Sequence, residues 1–330
     1  MKNKKTIRTV YFNGDFVPET EARISIYDSA LMFGDMVFEM TRSFNGKQFK
    51  LKEHLQRLYT GIKILRIPMK LSIEEMENAV HKTVEKNLEA FDKDDEHRIL
   101  IDISRGILSI YEDVDIKKGP NVVIADFPLK WTVQNCSHLY DEGINLCITS
   151  QRAIPAHLME PKIKNRSRLF YLMANIEVSM IKGNDNWALL LDTNGFIAEG
   201  TGSNFFMVKD NMIFLPEERD MLRGISMNTV VKDLAPALGI KVVHKNIEPF
   251  DVYEADEVFL TSTPFCILPA VTLNKLKIGD GKPGVITKKL IKAWSDLVGV
   301  DIVKQIKSWD LKQNKKPGTT PYKFSNGTRT

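Results

Sequence analysis

The octapeptide Pro161-Lys162-Ile163-Lys164-Asn165-Arg166-Ser167-Arg168 places four cations in seven positions. It stands directly before an apolar run that predicts a helix from about Ser167 to Lys182, closed by Gly183. Cations at a helix N-terminus oppose the helix dipole and cost stability. A solvated basic helix start is therefore only one reading of this stretch, and a functional cluster is the other. The flanking sequence decides between them.

Upstream, Thr9–Val17 reads as a hairpin turning on Asn13-Gly14. Leu51, Leu55, Leu58, Ile62 and Leu65 form the stripe of an amphipathic helix. A second helix opens at Ser72, with Glu75 completing a capping box, and buries Met76, Val80, Val84 and Leu88. Asp92–His97 is a turn, and Arg98–Ser104 and Asn121–Asp126 are strands. This order predicts a small layered α+β domain over residues 1–129, followed by a linker at 130–140. Downstream, a second domain over 141–299 is expected from the strand Asn145–Thr149 and a run of short hairpins between Trp187 and Leu215. Gly224-Ile225-Ser226 opens a helix that Pro236 should kink and Gly239 should stop. The strands Glu257–Thr261 and Leu268–Leu273 follow, then a late helix marked by Leu290, Ile291, Trp294 and Leu297. Residues 300–330 read as an extension, partly disordered, with a polar tail from Lys312. No internal repeat is visible.

Composition narrows the partners. A chain of 330 residues suits two domains, and 43% hydrophobic residues suffice for a large core. The net charge of +4 is spread along the chain, and Lys312–Lys316 is only a short tail cluster, so nucleic acid is not expected. No run approaches the roughly 18 apolar residues of a membrane span, and the basic start lacks a signal-peptide core. Three scattered cysteines, Cys136, Cys147 and Cys266, argue against disulfides and a metal site and for a reducing cytoplasm.

Two further features can carry chemistry. Ala198-Glu199-Gly200-Thr201-Gly202-Ser203-Asn204-Phe205-Phe206 sets a carboxylate beside small residues where backbone can approach a ligand, though by itself it reads as a glycine-rich turn. Gly224-Ile225-Ser226 and Thr261-Ser262-Thr263 offer N–H groups and hydroxyls that suit a phosphate, although most such turns are caps.

Taken together and in order, these marks resemble the class IV (fold type IV) pyridoxal-phosphate aminotransferases, over about Tyr11 to Leu297. The N-terminal part of the resemblance is Phe33-Gly34-Asp35-Met36-Val37-Phe38-Glu39 followed by Glu53-His54-Leu55-Gln56-Arg57-Leu58. The C-terminal part is the lysine before the helix, Glu199-Gly200 with Ser203-Asn204-Phe205, Arg223-Gly224-Ile225-Ser226, and Asp256-Glu257-Val258-Phe259. The resemblance implies an α+β fold of two domains, a small N-terminal sandwich and a larger C-terminal pseudo-barrel, paired as a homodimer with the active site at the domain junction. It implies pyridoxal 5'-phosphate as cofactor, an electron sink that the protein binds and tunes. Lys164, with Lys162 as its neighbouring competitor, would form the Schiff base and then move the α-proton. Glu199 would pair with the pyridine nitrogen, and Arg57, Ile225, Ser226 and Thr263 would hold the phosphate. Phe33, Phe38, Arg105, Arg168, Pro264 and Phe265 would face the substrate.

Within the family the reading stays open. The aromatic residues point to a branched-chain-like amino acid as donor to a 2-oxo acid. Phe33–Glu39 and Ile103-Ser104-Arg105-Gly106 look closer to D-amino-acid aminotransferases and R-selective amine transaminases, yet the carboxylate-holding Arg-x-His pair of the former is missing from Ile107–Glu112. Arg168 stands where branched-chain enzymes place a tyrosine and resembles aminodeoxychorismate lyase. Arg166 and Arg168 would either pair with a substrate carboxylate or serve salt bridges. The reading from another class is a catalytically silent binding module on the same fold.

Overall fold

The computed structural model describes residues 7–111 and 119–310. Among them, one compact unit runs to Trp131 and includes Ile163–Ser167, and the other takes Thr132–Lys162 and the chain from Arg168 onward. Lys164 thus lies in the first unit, whereas the sequence put it in the second.

The first unit opens with the hairpin of β1 (Thr9–Phe12) and β2 (Asp15–Pro18). Its turn residues Asn13 and Gly14 both take positive φ, as a tight two-residue turn requires. The short helix α1 (Ser29–Phe33) is capped by Asp28, whose Oδ1 accepts from the Ala30 N–H at 2.8 Å. The buried Oδ2 of Asp28 accepts from Ser104 and Asn121, tying this cap to the sheet. Gly34 ends the helix at φ +68 with Ser167 packed where a Cβ would stand, so glycine is required on both counts. Next come β3 (Met36–Met40), the small hairpin of β4 (Ser43–Phe44) and β5 (Lys47–Gln48), α2 (Leu51–Ile64), α3 (Ile73–Asn87), β6 (His97–Ser104) and β7 (Asn121–Pro128). The antiparallel sheet has the order β2-β1-β7-β6-β3. Leu55 and Leu58 of α2 and Met76 and Val80 of α3 pack with Ile99, Ile101 and Ile124 of the sheet, and Ile163 joins the same core.

Short helical turns, α4 (Lys130–Val133) and α5 (Leu139–Glu142), occupy the stretch expected as a linker. The second unit is built on β8 (Ile144–Arg152), α6 (Leu169–Ser179), β9 (Asn186–Leu191), β10 (Ile197–Gly200), β11 (Ser203–Lys209) and β12 (Met212–Leu215). After α7 (Ile225–Thr229) the helix widens to π spacing over Val230–Leu234 and resumes as α8 (Ala235–Ala237). Pro236, lacking an N–H and crowding the carbonyl one turn before it, accounts for that irregularity. The chain continues through β13 (Val242–His244), α9 (Pro249–Glu254), β14 (Glu257–Ser262), β15 (Cys266–Leu273), β16 (Leu276–Lys277) and α10 (Val285–Val298). Within the expected extension, α11 (Ile302–Asp310) buries Ile302, Ile306 and Trp309, while the tail from Lys312 lies outside the described residues.

The strand order β10-β9-β8-β15-β14-β11 closes on itself because β10 also pairs with β11. That closure makes a barrel of mixed strands with β12 and β13 extending from β11. Among the described residues no helix is long and apolar enough to cross a membrane.

Candidate active site

In the first unit the site residues assemble around β3. The backbone of residues 163–167 runs antiparallel along the outer edge of this strand: the Phe38 N–H donates to the Lys164 carbonyl at 2.9 Å, and Asn165 bridges Val37. The stretch of cations before α6 therefore takes turn, bend and bridge conformations and is not a helical first turn. This relieves most of the conflict with the dipole, and only Arg168 occupies the N-cap. Lys164 Nζ sits 4.7 Å from the centroid of the Phe38 ring, and Arg166 Cζ sits 3.7 Å from it. Lys162, by contrast, is held in the second unit by Glu160 and the Arg219 carbonyl, both at 3.0 Å.

One residue beyond Phe38, Glu39 is fully buried. Its carboxylate accepts a bidentate pair from Arg57, Nε at 2.6 Å and Nη2 at 2.8 Å, and meets His54 Nδ1 at 2.7 Å. Burial opposes ionisation of Glu39, but Arg57 and His54 outweigh it and hold the carboxyl well below its usual range. Burial and the neighbouring Arg57 and Lys164 charges push His54 down, in spite of Glu39. Arg57 is thus oriented by a buried anion.

Two expected substrate residues of this unit are placed differently. Arg105 bonds Asp35 through Nε (2.5 Å) and Nη2 (3.1 Å), and the carbonyls of Leu65 and Arg66 at 2.7 and 3.0 Å. Its guanidinium ties the end of α2 to the start of β3 and acts as a structural clamp. Phe33 is 65% exposed at the end of α1.

In the second unit the register aligns Glu199, Asn204 and Thr261 across β10, β11 and β14. All three are buried. Glu199 Oε1 accepts from the Tyr171 hydroxyl of α6, and Oε2 accepts from the Leu222 N–H at 3.1 Å. Asn204 Nδ2 donates to the Leu222 carbonyl at 2.8 Å. Both strands thereby grip the segment that leads into α7. Gly224 is the N-cap there and offers no side-chain bond, and Asn204 fills the space a Cβ would take. The first N–H groups of α7, at Ile225 and Ser226, lie where helix donors have no intrahelical acceptor. Thr261 Oγ1 is buried without a hydrogen-bond partner. A glycine-floored helix start, a buried orphan hydroxyl and a carboxylate held by two donors fit a phosphorylated pyridine, the phosphate at the N–H groups and the ring nitrogen at the anion.

Thr263, Pro264 and Phe265 form the turn between β14 and β15. Thr263 is half-buried, but the Phe265 ring packs edge-on against Trp187 at 5.6 Å, and its carbonyl accepts from Tyr140. Phe265, expected at the substrate, is a core residue, with Pro264 buried beside it. Arg168 lies 5.0 Å over the Tyr171 ring. Glu39 and His54 stand in the N-terminal motif with no role predicted for them, and Tyr171 is not among the predicted site residues. A signal was available: Glu39 is the lone charge in Met-Val-Phe-Glu-Met, and His54 and Arg57 at i, i+3 share a helix face.

Residues 36–273 match the family model for amino-transferase class IV. A putative branched-chain-amino-acid aminotransferase of Methanocaldococcus jannaschii is 34% identical over 87% of this chain and 96% of its own length. The crystal structure of the Escherichia coli branched-chain amino acid aminotransferase superposes with a TM-score of 0.80 at 29% identity, covering 89% of this chain and 95% of that one. A second branched-chain amino acid aminotransferase, from T.th. and complexed with N-(5'-phosphopyridoxyl)-L-glutamate, gives a TM-score of 0.77 at 29% identity, with the same coverage.

Proposed function

This chain belongs to the class IV aminotransferases, and from that premise we propose that it transfers the amino group of a branched-chain amino acid to a 2-oxo acid with pyridoxal 5'-phosphate bound at Lys164. When bound, the cofactor supplies an electron sink for the donor's Cα carbanion. Lys164 Nζ carries the proton away from Cα and later returns one. Glu199, which accepts from the Tyr171 hydroxyl and the Leu222 N–H, holds a proton on the ring nitrogen. Arg57, oriented by Glu39, and the N–H groups of Ile225 and Ser226, with Thr263, bind the phosphate. Phe38 floors the reacting amine, and Arg105 keeps β3 in place beneath it.

The observation that carries this reading is the row Glu199–Asn204–Thr261 pinned to the start of α7. The branched-chain preference is supported by the names of the relatives. Borohydride reduction followed by peptide mapping tests the lysine: the cofactor should be trapped on Lys164 and lost in Lys164→Ala. Retention of the label on Lys162 in that variant would sink the assignment. A donor screen of leucine, isoleucine and valine, in both hands, with 2-oxoglutarate then tests the substrate. Release of pyruvate without an acceptor would point to a lyase instead.

The protein works as a homodimer in this reading. Leu169, Leu172 and Met173 expose an apolar face on α6 in the second unit, and Ile26, Leu31 and Phe33 expose another in the first. Its place is the cytoplasm, where the free thiols Cys136, Cys147 and Cys266 stay reduced.

A further inference from the structure

Lys164 and Arg166 flank Asn165, the residue that bridges Val37 at the edge of β3, and both side chains reach the Phe38 ring. Phe38 of β3 is directly opposite Asp102 of β6 in the sheet register. Arg166 lies across this pair. Its Cζ is 3.7 Å from the Phe38 centroid, and its Nε and Nη2 donate to Asp102 Oδ1 at 3.1 and 2.9 Å. The Lys164 amine lies over the same ring at 4.7 Å.

The stack fixes the plane of the guanidinium, and Asp102 fixes its rotation in that plane. Among the described residues the bonds are made by the Nε–Nη2 edge, and Asp102 contributes a single oxygen. The remaining donors form a second edge suited to a bidentate anion, on a side chain that keeps 35% of its surface exposed. A salt bridge made only for stability gains little from such an arrangement, because a pair open to solvent on the arginine side is screened and contributes about 1 kcal/mol. An immobilised cation beside a reacting amine does have a task, which is to orient a charged substrate there.

We infer that Arg166 binds a carboxylate of the substrate. Asp102 and Phe38 are its positioning residues. The inference rests on Lys164 being the reacting lysine.

The test compares acids with their uncharged amides on the cofactor-loaded enzyme. Dissociation constants for hexanoate, hexanamide, glutarate and glutaramide are measured by tryptophan fluorescence or calorimetry, and KM and kcat for leucine and glutamate. The wild type should prefer acid over amide. Arg166→Met should weaken the acids roughly 10–100-fold and leave the amides unchanged, with the loss in KM more than in kcat. Arg166→Lys, which keeps the charge but not the fork, should recover part of it and guards against a misfolded first variant. A loss shared by hexanoate and leucine assigns the α-carboxylate, and one confined to glutarate and glutamate assigns the distal carboxylate. No acid preference in the wild type, or equal changes for acids and amides, would overturn the inference. Trapping of the cofactor on Lys162 would remove the reading beneath it without altering the acid-to-amide ratio, so the two failures are separable.

Discussion

Glu39 sits in a strand whose other residues are apolar, and its carboxylate tolerates complete burial only because Arg57 and His54 are aimed at it. Removing one member of a buried pair costs more than the pair contributes, since the other charge is left uncompensated. Glu39→Gln should therefore destabilise the protein by about 3 kcal/mol and weaken cofactor binding through the loosened Arg57. The pH dependence has a definite sign. The folded-state pKa is lowered from 4.5, so this stabilisation is complete above that value and drains away as pH falls below it. Urea titrations at neutral pH and near pH 3 should show the gap between wild type and variant closing at the acid end. An undiminished gap would assign the loss to packing. At this scale the sequence supplied the residue types and much less of their allegiance. Lys162 and Lys164 are the same residue type two positions apart, and the structure gives them different partners: Lys164 and its neighbour Asn165 pair with β3, and Lys162 is tied to Glu160. Arg105 and Phe265 carry suitable chemistry for a substrate, but Asp35 and Trp187 engage them first.

Two helix starts show which elements a sequence can announce. The cap of α3 is local: Ser72 accepts from the Glu75 N–H at 3.1 Å, and Glu75 accepts from the Ser72 N–H at 2.7 Å. The cap of α10 is remote, because Gly284 has no side chain and Glu257 of β14 accepts from the Ile286 and Thr287 N–H groups instead, at 2.8 Å each. The first is visible as Ser-x-x-Glu, and the second is separated from its helix by about thirty residues of chain. Ser72→Ala should cost about 1 kcal/mol. Glu257→Gln should cost about 1–2 kcal/mol, because it removes a charged acceptor from backbone donors and from the Thr287 hydroxyl. Chemical denaturation of both variants checks the pair, and a neutral result for Glu257→Gln would refute the remote cap. The same locality explains why the Asn13-Gly14 hairpin and the stripes of α2 and α3 were legible. Short elements such as β13 and α9 were not, having too few residues to show a period.

For the molecule as a whole, the apolar face of α6 is the feature that a monomer does not explain. One side of this helix buries Tyr171, Ala174 and Val178, and the other exposes Leu169, Leu172 and Met173. If a second copy covers that face, Leu169→Glu with Leu172→Glu should turn the dimer into a monomer of unchanged circular dichroism. Sedimentation velocity would read the change, and a wild type that sediments as a monomer would remove the basis of the prediction. By itself the sequence determined the family, the α+β class and most local elements, because motif order, turn residues and helical periods are written over a few neighbouring positions. Tertiary structure alone decided that β10 closes the barrel on β11 and that Glu199, Asn204 and Thr261 share one row. It also decided that Lys164 and Asn165 of the octapeptide pair with the edge of β3, and that Lys162, Arg166 and Lys164 meet Glu160, Asp102 and the Phe38 ring. Those outcomes depend on pairings between distant segments, whose register is set by the burial of whole sheet faces and not by any local stretch of residues.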